Sequence, residues 1–173
     1  GVGAAAIQLA RLLGAVPYVT CGSEAKLQYC ARLGAETGVL RDQEWAAYFR
    51  GLGVQFDVIL DPVGGAYVDH NVSVARRGAR IALIGLLGGV RTDANLGAFL
   101  GKNLTLFGRT LRTQPESIKR RLLAELETIV WPALQRGRVE HCVEQIFSPD
   151  EVEQAYTRMA ANDQLGKTIV VMR

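Results

Sequence analysis

The sequence predicts an α/β fold in which parallel strands are covered by helices. Short runs rich in β-branched residues alternate along the chain with helical stretches, and glycines or prolines punctuate many of the junctions. Strands that alternate with helices favour parallel pairing, because a helical crossover returns the chain to the same end of the sheet. A glycine turn at Gly1-Val2-Gly3 that leads into a small-residue helix further indicates a Rossmann-type, doubly wound parallel sheet.

Hydrophobic patterning gives the order of the elements up to about residue 108. Apolar, β-branched runs predict strands, and amphipathic stretches between turn residues predict helices. The predicted strands are 16–21, 37–40, 56–61, 80–85 and 103–108. The predicted helices are 4–14, one from Glu24 to a left-handed cap at Gly34, 42–50 with Trp45, Tyr48 and Phe49 on its apolar side, and one that ends near Ala75. A glycine-rich loop is predicted over 86–97.

The glycine turn stands at the very start of the sequence, where a dinucleotide-binding fold would have a buried strand in front of it. We therefore expect residues 1–173 to be the later part of a longer polypeptide, without the first strand of the sheet. With that strand restored, we expect a sheet of about six strands.

The pattern changes after residue 108. A charged amphipathic helix is predicted over 115–137, with Pro132 expected to kink or end it. Strands are predicted over 139–147 and 167–172, with a helix between them whose start carries a capping box, Ser148 at the N-cap and Glu151 at N3. Since no partner for these two strands is evident in the sequence, we expect their partners to lie outside it.

Composition excludes several classes of function. The chain is 49% hydrophobic and 21% charged, with a net charge of +3 over 173 residues, so neither nucleic acid nor a membrane surface is favoured as a partner. No apolar run approaches the roughly 18 residues of a membrane span. The three cysteines are odd in number and widely spaced. They predict neither a disulfide framework nor a zinc site, and they favour a reducing, cytoplasmic location.

The helix that follows the glycine turn is suited to an anion. Free N–H groups and the helix dipole at its start hold a pyrophosphate in dinucleotide folds, and glycines let the backbone approach it. Asp61 to Gly65, including Gly64, lies at the carboxyl end of a predicted strand, where open sheets bind ligands. A plain glycine turn is the alternative for this second segment.

The residues that follow the predicted strand 16–21 discriminate between NAD and NADP. An NAD-binding protein places an acidic residue on the ribose hydroxyls about 20 residues after the glycine turn. This chain has Ser23 there, and Lys26 one helical turn later. A hydroxyl and an ammonium favour the 2′-phosphate of NADP. The alternatives are that Ser23 only caps the helix, or that the adjacent Glu24 selects NAD.

No catalytic or metal-binding constellation is evident. His70 and His141 lie in a predicted helix and a predicted strand, without a cysteine or carboxylate placed to complete a metal site. No nucleophile elbow is present. The catalytic residues are therefore unknown from the sequence, and no metal is expected.

Together, several motifs resemble a known family over the whole chain. They are Gly1 to Ala10, the segment Gly22-Ser23-x-x-Lys26-Leu27, Leu33-Gly34-Ala35, Asp61-Pro62-Val63-Gly64-Gly65 and Gly166-Lys167. The chain resembles the zinc-free quinone oxidoreductases of the medium-chain dehydrogenase/reductase superfamily, in particular their tumour-suppressor-inducible branch. The resemblance implies an NADP-binding domain over 1–137 and, over 138–173, the C-terminal part of a GroES-like catalytic domain.

The resemblance also implies cofactor-binding positions. Gly1 and Val2 correspond to the pyrophosphate contacts, Gly3 to close packing at the helix start, and Ser23 and Lys26 to the 2′-phosphate ligands. Relatives often have a tyrosine near the adenosine where this chain has Leu40-Arg41, so Arg41 is expected to stack on adenine or pair with the phosphate, unless it is a solvated loop residue. The remaining implied positions, near the nicotinamide half, are Gly85, Leu86, Asn162 and Lys167. For Gly85 and Leu86 the alternative is a plain turn that ends the strand.

The implied reaction is hydride transfer from NADPH to a quinone or a related electrophile. The alternatives are an enoyl or alkenal reductase of the same superfamily, or a catalytically inert NADP-binding fragment. A methyltransferase also has a glycine turn before a helix, but it usually has an acidic residue after the second strand. This chain lacks an acidic residue at that position, so a methyltransferase is not favoured. Relatives pair the last strand of the cofactor domain across a two-fold axis, so we expect a homodimer through Asn103–Gly108.

Overall fold

The computed structural model describes residues 1–172 and contains two compact units. The first consists of Gly1–Gln43 and the described residues from Arg120 onward, and the second of Glu44–Lys119. Helices and parallel strands alternate in both units, so the α/β prediction is confirmed. No helix among residues 1–172 is both long and apolar enough to cross a membrane.

The N-terminal part of the first unit is a parallel strand pair with two helices. Its elements are α1 (Val2–Leu12), β1 (Tyr18–Cys21), α2 (Glu24–Arg32) and β2 (Thr37–Leu40). Tyr18 lies opposite Thr37 and Cys21 opposite Leu40, so the carboxyl ends of both strands meet at one edge. Buried side chains of α1 and of the end of α2 form the local core: Ala4, Ile7 and Leu33.

The C-terminal part of the first unit contains the long helix α6 (Glu116–Gln135) from Arg120 onward, β6 (Val143–Phe147), α7 (Val152–Ala161) and β7 (Lys167–Val170). Pro132 lies inside α6 and does not end it. The capping box before α7 is confirmed, because Ser148 and Glu151 bond each other's backbone, with Pro149–Glu151 forming a 3-10 turn.

The expectation that the two end strands need partners outside the sequence was wrong. β6 and β7 pair with each other in parallel, Ile146 opposite Ile169 and Phe147 opposite Val170. A parallel pair needs a crossover connection, and α7 supplies it. Strand periodicity identified both elements but carried no information on which strand each would pair with.

The second unit is a three-stranded parallel sheet with helices. Its elements are α3 (Trp45–Gly51), β3 (Phe56–Asp61), α4 (Tyr67–Val74), β4 (Ala75–Leu83), α5 (Leu96–Lys102) and β5 (Thr105–Gly108), with strand order β3-β4-β5. Ile81 of the central strand is fully buried. The described strands up to β5 therefore form two sheets, of two and three strands, rather than one continuous sheet.

Three local predictions in the second unit were wrong. Tyr48 is 46% exposed, while Trp45 and Phe49 are buried as expected. β4 begins at Ala75 instead of residue 80, since the chain enters the strand directly from α4 and passes Gly78 in a left-handed conformation. Asn103 is not a strand residue, because it is the left-handed C-cap of the unpredicted helix α5.

Lys102, at the end of α5, caps another helix of the same unit. Its ammonium donates to the carbonyl oxygens of Val72, Ser73 and Ala75 at 2.8, 3.0 and 3.0 Å. The last carbonyls of a helix have no partner within the helix and carry the negative end of its dipole. Lys102 therefore satisfies the end of α4 with three hydrogen bonds and a compensating charge.

Candidate functional site

A cavity of about 310 Å³ lies in the first unit, at the edge where β1 and β2 end. The start of α1, the turn between β1 and α2, and the segment before β7 all line it. The predicted site residues among its lining are Gly1, Gly3, Lys26, Arg41 and Asn162. The structure therefore brings together residues from both ends of the sequence.

The start of α1 presents unpaired backbone donors to this cavity. Gly1 is the N-cap, no side chain caps the helix, and its first turn has no acidic residue. Val2 is the first helical residue, and the N–H of Ala5 donates to the Gly1 carbonyl oxygen at 3.1 Å. A Cβ on Gly3 would meet nothing within 4 Å. The first turn thus has the free N–H groups and the space that an anion requires.

Ser23 and Lys26 hold the turn that follows β1. Ser23 is the N-cap of α2, and its hydroxyl accepts a hydrogen bond from the backbone N–H of Lys26 at 3.4 Å. The Lys26 ammonium donates to the carbonyl oxygen of Asn162 at 2.5 Å. Asn162 is the left-handed C-cap of α7. One cation thus connects the start of α2 with the end of α7, at the cavity.

Arg41 lies against the same turn because backbone pairing places it there. Its N–H donates to the carbonyl of Cys21 at 2.7 Å, which continues the β1–β2 ladder by one residue. A Cβ on Gly22 would lie 3.1 Å from the Arg41 guanidinium. The absence of a side chain at Gly22 therefore makes room for Arg41.

Lys167 adds a third cation near the start of α1. It is the first residue of β7, and its ammonium nitrogen lies 3.0 Å from the position of a Cβ on Gly1. The described residues that line the cavity include Lys26 and Arg41 and no carboxylate. Glu24 is exposed and is not among the lining residues. The charge of the cavity therefore favours an anionic ligand.

Two cysteines of the cavity form a pair that the sequence analysis missed. The Sγ atoms of Cys21 and Cys30 are 3.6 Å apart, within hydrogen-bond distance for sulfur. This contact lowers the pKa of the Cys21 thiol to about 7, with Lys26 and Arg41 acting in the same direction against burial. The same contact, together with burial, raises the pKa of Cys30. The only signal in the sequence was a cysteine ending a strand and another nine residues later on the next helix.

The three other predicted positions belong to the second unit, where Gly64, Gly85 and Leu86 lie close together after β3 and β4. A Cβ on Gly64 would lie 2.7 Å from the Leu86 side chain, and one on Gly85 would lie 2.6 Å from the Pro62 carbonyl oxygen. Glycine at positions 64 and 85 therefore permits close approach of two loops at the carboxyl end of this sheet.

A buried carboxylate fixes the Gly64 turn. Asp61 is 2% exposed and accepts hydrogen bonds from the N–H groups of Val63 and Gly64, at 2.7 and 3.0 Å. Its second oxygen accepts from the Asn71 amide at 2.8 Å. Asp61 thus links the end of β3 to α4, and its polar atoms are used within the fold.

Neither histidine is part of a metal-ligand cluster among the described residues. The His70 ring packs against the Trp45 ring at a centroid distance of 5.6 Å. His141 lies in the irregular segment before β6. Across residues 1–172, no group of three or more His, Cys, Asp or Glu side chains is arranged to hold a metal ion.

Comparison with known proteins places this fold in a family. The family model for zinc-binding dehydrogenases matches residues 1–128. A polyketide synthase subunit of Mycobacterium tuberculosis, named for phenolphthiocerol and phthiocerol, is 30% identical over 98% of the chain and 8% of its own length. The spectinabilin polyketide synthase protein NorB of Streptomyces orinoci is 29% identical over 99% of the chain and 7% of its own length.

The quinone oxidoreductase of Thermus thermophilus, whose structure is also known as a complex with NADPH, has the same fold. Its TM-score is 0.81 at 24% identity, over 97% of this chain and 53% of that one. The chain thus spans about half of this relative and less than a tenth of the two polyketide synthase proteins. With a family model matched over most of its length, the chain belongs to the zinc-binding dehydrogenases of the medium-chain dehydrogenase/reductase superfamily.

Proposed function

We propose that the cavity of the first unit binds NADPH, and that the chain is the cofactor-binding part of a zinc-free, NADPH-dependent quinone oxidoreductase of the tumour-suppressor-inducible branch. The observation that carries the proposal is the convergence of a helix start with Lys26 and Arg41 in one cavity whose described lining has no carboxylate. The Thermus thermophilus enzyme, a structural relative, has been solved with NADPH.

The residues present fit NADPH. The free N–H groups at the start of α1 would hold the pyrophosphate, at Gly1, Val2 and Gly3. Ser23, Lys26 and Arg41 would hold the 2′-phosphate, because a dianionic group is best bound by charge-assisted hydrogen bonds. Lys26 is already oriented at the cavity by its bond to the Asn162 carbonyl. Glu24, the acidic residue adjacent to Ser23, is exposed and does not line the cavity.

Bound NADPH supplies the hydride, and the chain supplies binding and orientation. Lys167, which the resemblance assigned to the nicotinamide half, lies beside Gly1, so we propose that it adds positive charge near the pyrophosphate. For Gly64, Gly85 and Leu86 we propose a role as main-chain surface toward the nicotinamide half. We place the residues that contact the quinone outside residues 1–137, in a GroES-like catalytic domain that residues 138–173 help to complete, and we propose that the protein acts in the cytoplasm.

Parallel titrations with NADPH and NADH test this site. Replacing Lys26 by alanine removes an ammonium from the 2′-phosphate site, so NADPH affinity should fall about 10- to 100-fold while NADH affinity changes little. Nicotinamide fluorescence measures both. The control is Lys119→Ala, since the Lys119 ammonium bonds the Arg112 carbonyl in the second unit. An equal loss for both coenzymes, or no loss for either, would refute the assignment.

Reduction of an enoyl group is the second candidate function. It is favoured by the polyketide synthase relatives, which match 98% and 99% of this chain. Quinone and enoyl reduction need the same hydride donor, so the cofactor site does not discriminate between them. Turnover of NADPH with an ortho-quinone, compared with an α,β-unsaturated thioester, separates the two, and turnover with neither would favour an inert cofactor-binding fragment.

We also propose that the chain forms a homodimer through the segment Asn103–Gly108. Among the strands of residues 1–172, β5 pairs with β4 alone and is therefore an edge strand. An exposed edge strand is a template for pairing, and a two-fold partner covers it. Light scattering should give the mass of a dimer. Leu106→Lys, which adds a charge at a 39%-exposed position of this strand, should give a monomer; a monomer before the substitution would contradict the proposal.

A further inference from the structure

The cysteine pair of the cavity has a geometry that suits covalent linkage. Cys21 is the last residue of β1, and Cys30 lies in the second turn of α2. Their sulfur atoms are 3.6 Å apart, so an approach of about 1.5 Å would bring them to the length of a disulfide bond. The eight residues between them contain the turn with Ser23 and Lys26.

The third cysteine has a different environment. The Cys142 sulfur accepts a hydrogen bond from the Gln8 side-chain amide at 3.2 Å. It also lies 3.6 Å from the carbonyl oxygen of Glu140. Cys142 is therefore an internal control for thiol reactivity. It is a partly buried thiol of the same unit, and the contacts described for its sulfur are with an amide nitrogen and a carbonyl oxygen.

We propose that Cys21 and Cys30 are an oxidation site, at which hydrogen peroxide or a related two-electron oxidant forms an intramolecular disulfide within the cavity. The Cys21 thiolate attacks one peroxide oxygen, the O–O bond breaks, and the released hydroxide takes up a proton to leave as water. The resulting Cys21 sulfenic acid is attacked by the Cys30 sulfur. The S–S bond forms, the S–O bond breaks, and a second water leaves with the Cys30 proton.

The assignment of roles follows from the electrostatics of the cavity. The thiolate is the reactive form, and the pKa of Cys21 is lowered to about 7 by the hydrogen bond from Cys30 and by the charges of Lys26 and Arg41. The same contact raises the pKa of Cys30, which keeps its proton until Cys21 has been oxidised. Cys21 therefore reacts first, and Cys30 resolves the sulfenic acid.

The dependence of the reaction on pH tests which sulfur attacks. With a pKa of about 7, the thiolate fraction of Cys21 rises about tenfold between pH 6 and pH 8 and then levels off. The initial rate of linkage should follow this curve. A rate that continues to rise several-fold per pH unit between pH 8 and pH 9 would overturn the assignment of Cys21 as the attacking group.

The linkage itself is tested on the reduced chain with hydrogen peroxide, followed by alkylation of free thiols, intact mass and peptide mapping. The expected product has lost two hydrogen atoms and contains a Cys21–Cys30 cross-linked peptide. Cys142→Ser should give the same product at a rate within about twofold of the original, while Cys21→Ser and Cys30→Ser should give none. The peptide map of the unsubstituted chain tests the proposal even where a variant fails to fold. A cross-link that contains Cys142, or oxidation of Cys21 beyond the sulfenic acid with no cross-link, overturns the proposal.

Discussion

Replacing Asp61 by alanine should lower the free energy of unfolding of the chain by about 3–5 kcal/mol, because three donors, two of them buried and one part-buried, lose their acceptor at once. These donors are the N–H groups of Val63 and Gly64 and the side-chain amide of Asn71. Asn71 is 4% exposed, so water does not easily replace the lost contact. Urea denaturation followed by circular dichroism measures the change.

The same strand supplies a matched control. Asp57 of β3 pairs with Arg76 at 2.9 Å, but both side chains are more than half exposed. An exposed ion pair contributes about 0–1 kcal/mol, so Asp57→Ala should change stability by no more than that. A double-mutant cycle with Asn71→Ala isolates the buried pair. Equal effects of the two aspartate substitutions would contradict the role given to Asp61.

Gly65→Ala should destabilise the second unit by about 2–5 kcal/mol, since two penalties add. Gly65 has φ of +56°, where an L side chain is strained, and a Cβ there would lie 2.5 Å from the carbonyl oxygen of Gly88. The obstacle is backbone, so it cannot move aside as a side-chain tip could. The measurement is again the free energy of unfolding in urea.

Gly53→Ala separates the two penalties. Gly53 has φ of +69°, but a Cβ there would meet nothing within 4 Å. Its substitution should therefore cost about 1–2 kcal/mol, from backbone strain alone. Should Gly65→Ala cost no more than Gly53→Ala, the close approach between the Gly64-Gly65 turn and the Gly88 backbone would not be a determinant of stability.

Elements whose signal is local were predicted well. The strands 37–40 and 56–61 match β2 and β3 residue for residue, because β-branched runs between turn residues determine both the type of element and its ends. The capping box of Ser148 and Glu151 was likewise readable from spacing alone. Helix α5 was missed because it contains two glycines in seven residues, and its start depends on the Asn95 side chain, which accepts from the Ala98 N–H at 3.1 Å.

Features that depend on contacts between different helices and strands were not predicted. The pairing of β6 with β7 and the contact between Cys21 and Cys30 depend on how α7 and α2 return the chain. The candidate site shows both cases. The glycine turn was recognisable from the sequence as the start of a helix, and that start lines the cavity. The bond from Lys26 to the carbonyl of Asn162 instead joins residues 136 positions apart and has no signature in either segment.

The way α4 is capped makes position 102 selective for lysine over arginine, although the two side chains carry the same charge. The Lys102 ammonium is a point donor with three protons, and the three carbonyl oxygens that accept from it lie 2.8–3.0 Å from one nitrogen. Arginine distributes its donors over a flat, forked group several ångströms wide, which suits a carboxylate rather than three converging oxygens. An exchange usually regarded as conservative would therefore leave carbonyl groups of this helix without partners.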